Sequence, residues 1–204
     1  SCRGLYAVPD AFLVPDGRLT AAVEQAILGG ARMIQYRDKS RDAARRLAQA
    51  EALNKLCRLH QVPLLINDDV ELAAQVGAAG VHVGQDDPAF ATARARLGGN
   101  AIIGVSCYDR LDLALEAARA GADYVAFGAF FPSPTKPTEI RSPIELLRQA
   151  RAALRVPIVA IGGITPANAP LLLDAGADAL AVVSGVFGQP DIQAAARRFA
   201  ALFV

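Results

Sequence analysis

Short apolar runs return along the whole chain, at residues 4–8, 33–36, 64–66, 80–83, 102–105, 124–127, 158–161 and 179–183. Each predicts a strand, and their near-continuous apolar character suits strands buried on both faces. Between them lie segments rich in Ala, Leu and Arg, including 19–28, 43–59, 112–120, 143–154 and 194–202, whose apolar residues fall at helical spacing. Two kinds of connection alternate. Gly30-Ala31, Gly77-Ala78, Gly121-Ala122-Asp123 and Gly176-Ala177-Asp178 lead into the even-numbered strands, where glycine suits a left-handed helix cap. Val62-Pro63 and Val156-Pro157 lead into strands three and seven, where proline halts the preceding helix. Eight βα units without long insertions predict a parallel sheet closed on itself, an α/β fold of the (β/α)8 TIM-barrel type, with residues 1–204 forming one domain. The first βα turn lacks the G-x-G-x-x-G run that an open dinucleotide-binding sheet would carry.

Composition narrows the function. Hydrophobic residues make up 53% of the chain and aromatics 6%, so small branched side chains must fill the core. Lys and Arg (21) nearly cancel Asp and Glu (20), which argues against nucleic acid or a membrane surface as partner and for small-molecule chemistry. Three cysteines without a CxxC give neither a disulfide framework nor a zinc site. With no membrane-length apolar run and no leader-like N-terminus, a cytoplasmic location is expected. The sequence leaves oligomeric state open, a homo-oligomer included.

In such a barrel the residues just past each strand's C-terminus converge on one face. After strand two, Gln35, Arg37 and Lys39 share a side and offer two cations suited to a diphosphate. Asn67-Asp68-Asp69 and Gln85-Asp86-Asp87 follow strands three and four, and carboxylates from adjacent strand ends can each give an oxygen to a hard cation. One acid of each pair is then left to cap the next helix. The long loop 129–141, with Phe130-Phe131-Pro132-Ser133-Pro134-Thr135-Lys136, presents hydroxyls and an ammonium as a substrate cover. Gly162-Gly163 and Val183-Ser184-Gly185 stand where barrel enzymes commonly cradle a phosphate. Ser106, at the end of strand five, has no evident histidine base, since His60 falls on a helix and His82 within strand four. Ser106 therefore reads as a hydrogen-bond donor and His82 as a satisfied core side chain.

Taken in order, Gln35-x-Arg37-x-Lys39, Ile66-Asn67-Asp68-Asp69, Gly84-Gln85-Asp86-Asp87, Gly104-Val105-Ser106, Pro132-x-x-Thr135-Lys136 and Ile161-Gly162-Gly163-Ile164 closely resemble the motif series of the thiamin phosphate synthase family. The chain departs from the family's commonest pattern at Pro9, Tyr36, Asp38, Ser133 and Pro134. The resemblance implies a transferase that joins a hydroxymethylpyrimidine diphosphate to a thiazole phosphate and releases diphosphate. It implies that Gln35, Tyr36, Arg37, Asp38, Lys39, Asn67, Ser106 and Lys136 hold the pyrimidine diphosphate, with Arg37, Lys39, Ser106 and Lys136 catalytic. Asp68 and Asp87 would hold Mg2+, and Ser133, Pro134, Thr135, Gly163, Val183 and Ser184 would receive the thiazole phosphate. A thiazole-phosphate tautomerase on a similar barrel and a non-catalytic barrel that binds a phosphorylated ligand are the alternatives. Neither needs the full acidic and cationic sets.

Overall fold

The structure is a computed structural model that describes residues 2–84, 89–133 and 141–204. Eight parallel strands close into a barrel in chain order, β1 (Gly4–Ala7), β2 (Met33–Tyr36), β3 (Leu64–Asn67), β4 (Gly80–Val83), β5 (Ile102–Tyr108), β6 (Tyr124–Phe127), β7 (Ile158–Ile161) and β8 (Ala179–Val182), with β8 pairing back to β1. Around them run α1 (Leu19–Leu28), α2 (Ala43–Leu59), α3 (Val70–Val76), α4 (Ala89–Leu97), α5 (Leu111–Ala120), α6 (Glu145–Ala153), α7 (Ala169–Asp174), α8 (Ser184–Phe187) and α9 (Ile192–Ala200). The predicted barrel is thus present, and the predicted strands fall within a few residues of the observed ones. Strand β5 runs three residues further than its apolar core, and the polar Ser106 and Tyr108 belong to it.

The strand period of two sorts the core into two layers. Leu5, Ile34, Val81, Ile103, Val125, Ile158 and Leu180 join the helices in one continuous cluster outside the sheet. Tyr6, Met33, Leu65, Tyr124, Val159 and Ala179 form a second cluster in the barrel lumen. The lumen is therefore packed, as expected of an eight-stranded barrel whose width side chains can fill.

The alternating connections have a structural counterpart at the strands' N-terminal ends. Gly30, Gly77, Gly121 and Gly176 all take positive φ, as the sequence predicts for these caps. The two Gly-Ala-Asp connections go further. Asp123 Oδ2 accepts from the backbone N–H of Ile103 (2.8 Å) and from Arg94 (2.7 Å), fastening the entry of β6 to that of β5. Asp178 Oδ2 accepts from the N–H of Ile158 (2.8 Å) and from Arg151 (2.7 Å), fastening β8 to β7 in the same way. Each arginine also donates to carbonyls between its own helix and the next strand, Arg94 to Gly98 and Ala101 and Arg151 to Leu154. These clamps set the register of two strand pairs at the end opposite the mouth. Replacing Asp178 with Ala should cost about 2 kcal/mol, because the Ile158 N–H and the Arg151 guanidinium lose a charged partner. For a chain of this size that is a fall of roughly 4–8 °C in melting temperature by calorimetry, with turnover intact. An unchanged melting temperature would count against the clamp.

Candidate active site

The C-terminal ends of the strands open into a cavity of about 810 Å³. Gln35, Arg37, Lys39, Asn67, Asp68, Ser106, Ser133, Gly163, Val183 and Ser184 all line it. The sequence therefore singles out residues from six strand ends that do face one space. Pro134, Thr135, Lys136, Asp86 and Asp87 lie outside the described residues.

At the cavity floor, polar side chains from six strands form one unbroken series. Asn67 Nδ2 donates to Gln35 Oε1 (3.1 Å), and Gln35 Nε2 donates to the Tyr6 hydroxyl (2.8 Å). The Tyr6 and Tyr124 hydroxyls meet at 2.9 Å, Tyr124 meets His82 Nδ1 at 2.6 Å, and His82 Nε2 meets Ser106 Oγ at 2.7 Å. Gly104 makes this possible, since a Cβ there would sit 1.9 Å from the Tyr124 ring. The ring stacks on the His82 imidazole with centroids 5.7 Å apart. Burial raises both the Tyr6 and the Tyr124 hydroxyls well above the ordinary phenol range, so both stay protonated.

This corrects the sequence reading of Ser106. A histidine does stand beside it, because the parallel register pairs His82 with Gly104 and turns residue 82 and Ser106 into the same lumen. His82 is a satisfied interior side chain as expected, but it lines the cavity as well. The signal was the Val81-His82-Val83 alternation, in which a polar residue between two helix-facing valines must point inward. Tyr6 and Tyr124 were missed for the same reason. Asp10, past the end of β1, also lines the cavity and carried no such signal.

The mouth carries the charge. Lys39 Nζ lies 2.9 Å from Asp68 Oδ2, and both side chains are more than half exposed (60% and 55%). Asp68 occupies the left-handed region (φ 62°), an uncommon conformation for a residue with a side chain, and its N–H donates to the His82 carbonyl. Asp69 behaves as the spare acid: it caps α3 by accepting from Leu72 N–H and pairs with Arg46 at 2.7 Å. Among the described residues Arg37 has no ion-pair partner, which leaves its guanidinium available to an anion at the mouth.

Two expected substrate contacts are not where the resemblance put them. The Tyr36 side chain joins the outer cluster, and its hydroxyl donates to Gln49 on α2 (2.6 Å) and to Asp38 (3.4 Å). Burial would raise the Asp38 carboxyl, but bonds from Ser40 and the charge of Arg45 outweigh it and hold it below the usual range. Both side chains line a small separate void behind the β2 loop. Positions 36 and 38 alternate with 35, 37 and 39, so they point away from the mouth. Gly163 lines the cavity, but its positive φ (62°) also has a packing cause, because a Cβ would meet the Pro132 carbonyl at 2.3 Å.

The sequence profile of the thiamine monophosphate synthase family matches residues 5–186. The chain belongs to this family. A thiamine-phosphate synthase of Nitrosococcus oceani is 55% identical over 98% of this chain and 92% of its own length. One of Thioalkalivibrio sulfidiphilus is 55% identical over 98% and 95%. Among solved structures, the thiamine phosphate pyrophosphorylase from Pyrococcus furiosus superimposes with a TM-score of 0.88 at 34% identity, covering 98% of this chain and 95% of that one. The first two relatives bear the synthase name and the third the pyrophosphorylase name, and the tautomerase and binding-barrel alternatives are not favoured.

Burial has a consequence for stability in this family member. It raises the hydroxyls of Tyr6, Tyr36 and Tyr124, and it pushes the Cys57 thiol up to about 12. In the unfolded chain such thiols and phenols titrate near about 8.5 and 10. Groups whose folded values are raised stabilise the fold below the unfolded values, and that stability is lost as pH rises through and beyond them. Urea unfolding should therefore give constant stability between about pH 7 and 8 and a marked decline by about pH 10.5, smaller in Tyr124→Phe. Stability that held level through that range would contradict the assignment.

Proposed function

We propose that the cavity joins hydroxymethylpyrimidine diphosphate to hydroxyethylthiazole phosphate, releasing diphosphate and forming thiamin phosphate. One observation carries this reading. A single cavity collects amide groups on β2 and β3 and cationic groups after β2, a hydroxyl on β5, and glycine- and serine-bearing turns after β7 and β8. The first set suits a diphosphate, the second a monophosphate. Ser184 and Gly185 open α8, so their N–H groups have no intrahelical acceptor and can face an anion.

Asp68 fits a magnesium site, because Mg2+ takes one or two protein carboxylates and fills its remaining positions with water and phosphate oxygens. Among the described residues no cluster of three His, Cys, Asp or Glu offers a fuller protein cage. We assign Asp68 and Asp87 as the ligands, and when bound the ion would neutralise charge on the diphosphate. Arg37, Lys39 and Lys136 would bear on the same oxygens. The carbon–oxygen bond to the pyrimidine methylene breaks with its electron pair leaving on diphosphate, and these cations stabilise that charge. The aminopyrimidine ring delocalises the positive charge left behind, so no protein nucleophile is required. The thiazole nitrogen then forms the new bond to that carbon, aligned by its phosphate at Gly163, Val183 and Ser184. We take the chain to work as one barrel domain in the cytoplasm, on two small molecules and without nucleic acid. Three free thiols suit a reducing compartment, and no helix among the described residues is long and apolar enough to cross a membrane.

Mixing the protein with both substrates should yield thiamin phosphate and diphosphate, with the yield abolished by a chelator and restored by Mg2+. No product under these conditions would end the reading. Asp68→Ala and Lys136→Ala should each lower turnover by about a hundredfold or more while the melting temperature holds. Ser184→Ala should raise the Michaelis constant for the thiazole phosphate about tenfold and leave that for the pyrimidine nearly unchanged. Equal changes for the two substrates would remove Ser184 from the thiazole side.

A further inference from the structure

The hydrogen-bonded series beneath the cavity has a direction, and the direction decides what Ser106 offers a ligand. Tyr6 carries one hydroxyl proton, and its oxygen already accepts from Gln35 Nε2. Its remaining polar contact among the described residues is Tyr124. If Tyr124 donated to Tyr6, the Tyr6 proton would be left without an acceptor in a fully buried place, an arrangement that folded proteins avoid. Tyr6 therefore donates to Tyr124, and the Tyr124 proton passes to His82 Nδ1. The imidazole is then a neutral ring with its proton on Nε2, and it donates that proton to Ser106 Oγ. Ser106, having accepted, turns its own proton away from the floor and into the cavity.

We propose that Tyr6, Tyr124 and His82 are positioning residues. They form a one-way relay that starts at the amides of Asn67 and Gln35 and presents Ser106 to the cavity as a hydrogen-bond donor. The proposal rests on the reading above for the identity of the acceptor, the diphosphate. A diphosphate has oxygens that accept and nothing useful to donate. A hydroxyl free to rotate would offer it lone pairs as readily as a proton, and the relay removes that freedom. Bonds in such a series also polarise one another, so the Ser106 proton is a stronger donor when the whole row is intact. The gain grows as negative charge builds on the leaving group, which is when it accelerates the reaction. The histidine acts here through its hydrogen bonds and takes no proton from the serine. Reversal of the Gln35 amide would run every bond the other way and leave Ser106 donating into the protein.

The chain has two histidines, His60 just past the end of α2 and paired with Glu24, and His82, so imidazole nitrogen spectra can be assigned with a His60→Gln variant that leaves turnover unchanged. Long-range nitrogen–proton NMR should show His82 as a neutral ring with its proton on Nε2, both alone and with magnesium and inorganic diphosphate. A proton on Nδ1, or on both nitrogens, would overturn the relay. A double-mutant cycle tests its purpose. Tyr124→Phe keeps the ring and removes the link, and should lower kcat for the pyrimidine diphosphate about tenfold with little change in the thiazole Michaelis constant. Ser106→Ala should lower it about a hundredfold, and Tyr124→Phe should add almost nothing in that background. The same tenfold loss in both backgrounds would show that Tyr124 acts apart from Ser106 and would refute the proposal. If Ser106→Ala kept full turnover, the diphosphate reading of the site would fall, while the spectrum would still report the direction of the relay.

Discussion

Below its mouth, the lumen of a closed eight-stranded barrel holds no bulk water, so every polar atom that a strand turns inward must find its partner on another strand. That constraint organises this molecule. Six inward side chains, from Asn67 to Ser106, satisfy one another in a single row and convert the requirement for buried partners into a fixed arrangement of donors. Beneath the row, Met33, Leu65, Val159 and Ala179 fill the lumen with hydrocarbon. Above it the lumen widens into the cavity at the mouth. The polar floor is thus the boundary between the part of the barrel that only has to be full and the part that has to be selective.

The two ends of the barrel carry different burdens. At the strand entries, Asp123 and Asp178 each hold an N–H near the start of a neighbouring strand and an arginine. Their charges are spent on register. At the mouth, Lys39 and Asp68 meet across a solvent-exposed gap, where an ion pair contributes little to stability and is readily exchanged for a ligand. Arg37 stands beside them with no paired acid among the described residues. Charges that hold the fold are partly buried and multiply bonded, and those at the mouth, which we assign to substrate, are exposed and loosely held.

The barrel and most of the site could be read in the sequence because both rest on periodicity. Apolar runs separated by helical segments define βα units, and the residues after each run must reach the same face. Gln35, Arg37, Lys39, Asn67, Asp68 and Ser106 follow directly from that rule. Tyr36 and Asp38 violated it, since neighbours of inward positions point outward, and the structure places them against α2. The link between His82 and Ser106 depends on the register between β4 and β5, which the sequence does not state. The row through Tyr6 and Tyr124 lay deeper still, because it crosses the lumen between strands that never pair.

Gly104 gives this last feature a wider meaning. The eight units come in near-equivalent pairs, and their backbones alone confer no preferred orientation around the axis. At Gly104 the fifth strand lacks a side chain, and into that space a tyrosine from the next strand leans far enough to reach the fourth. Through the absence of that one Cβ, amide orientation on one wall can be felt at the opposite wall.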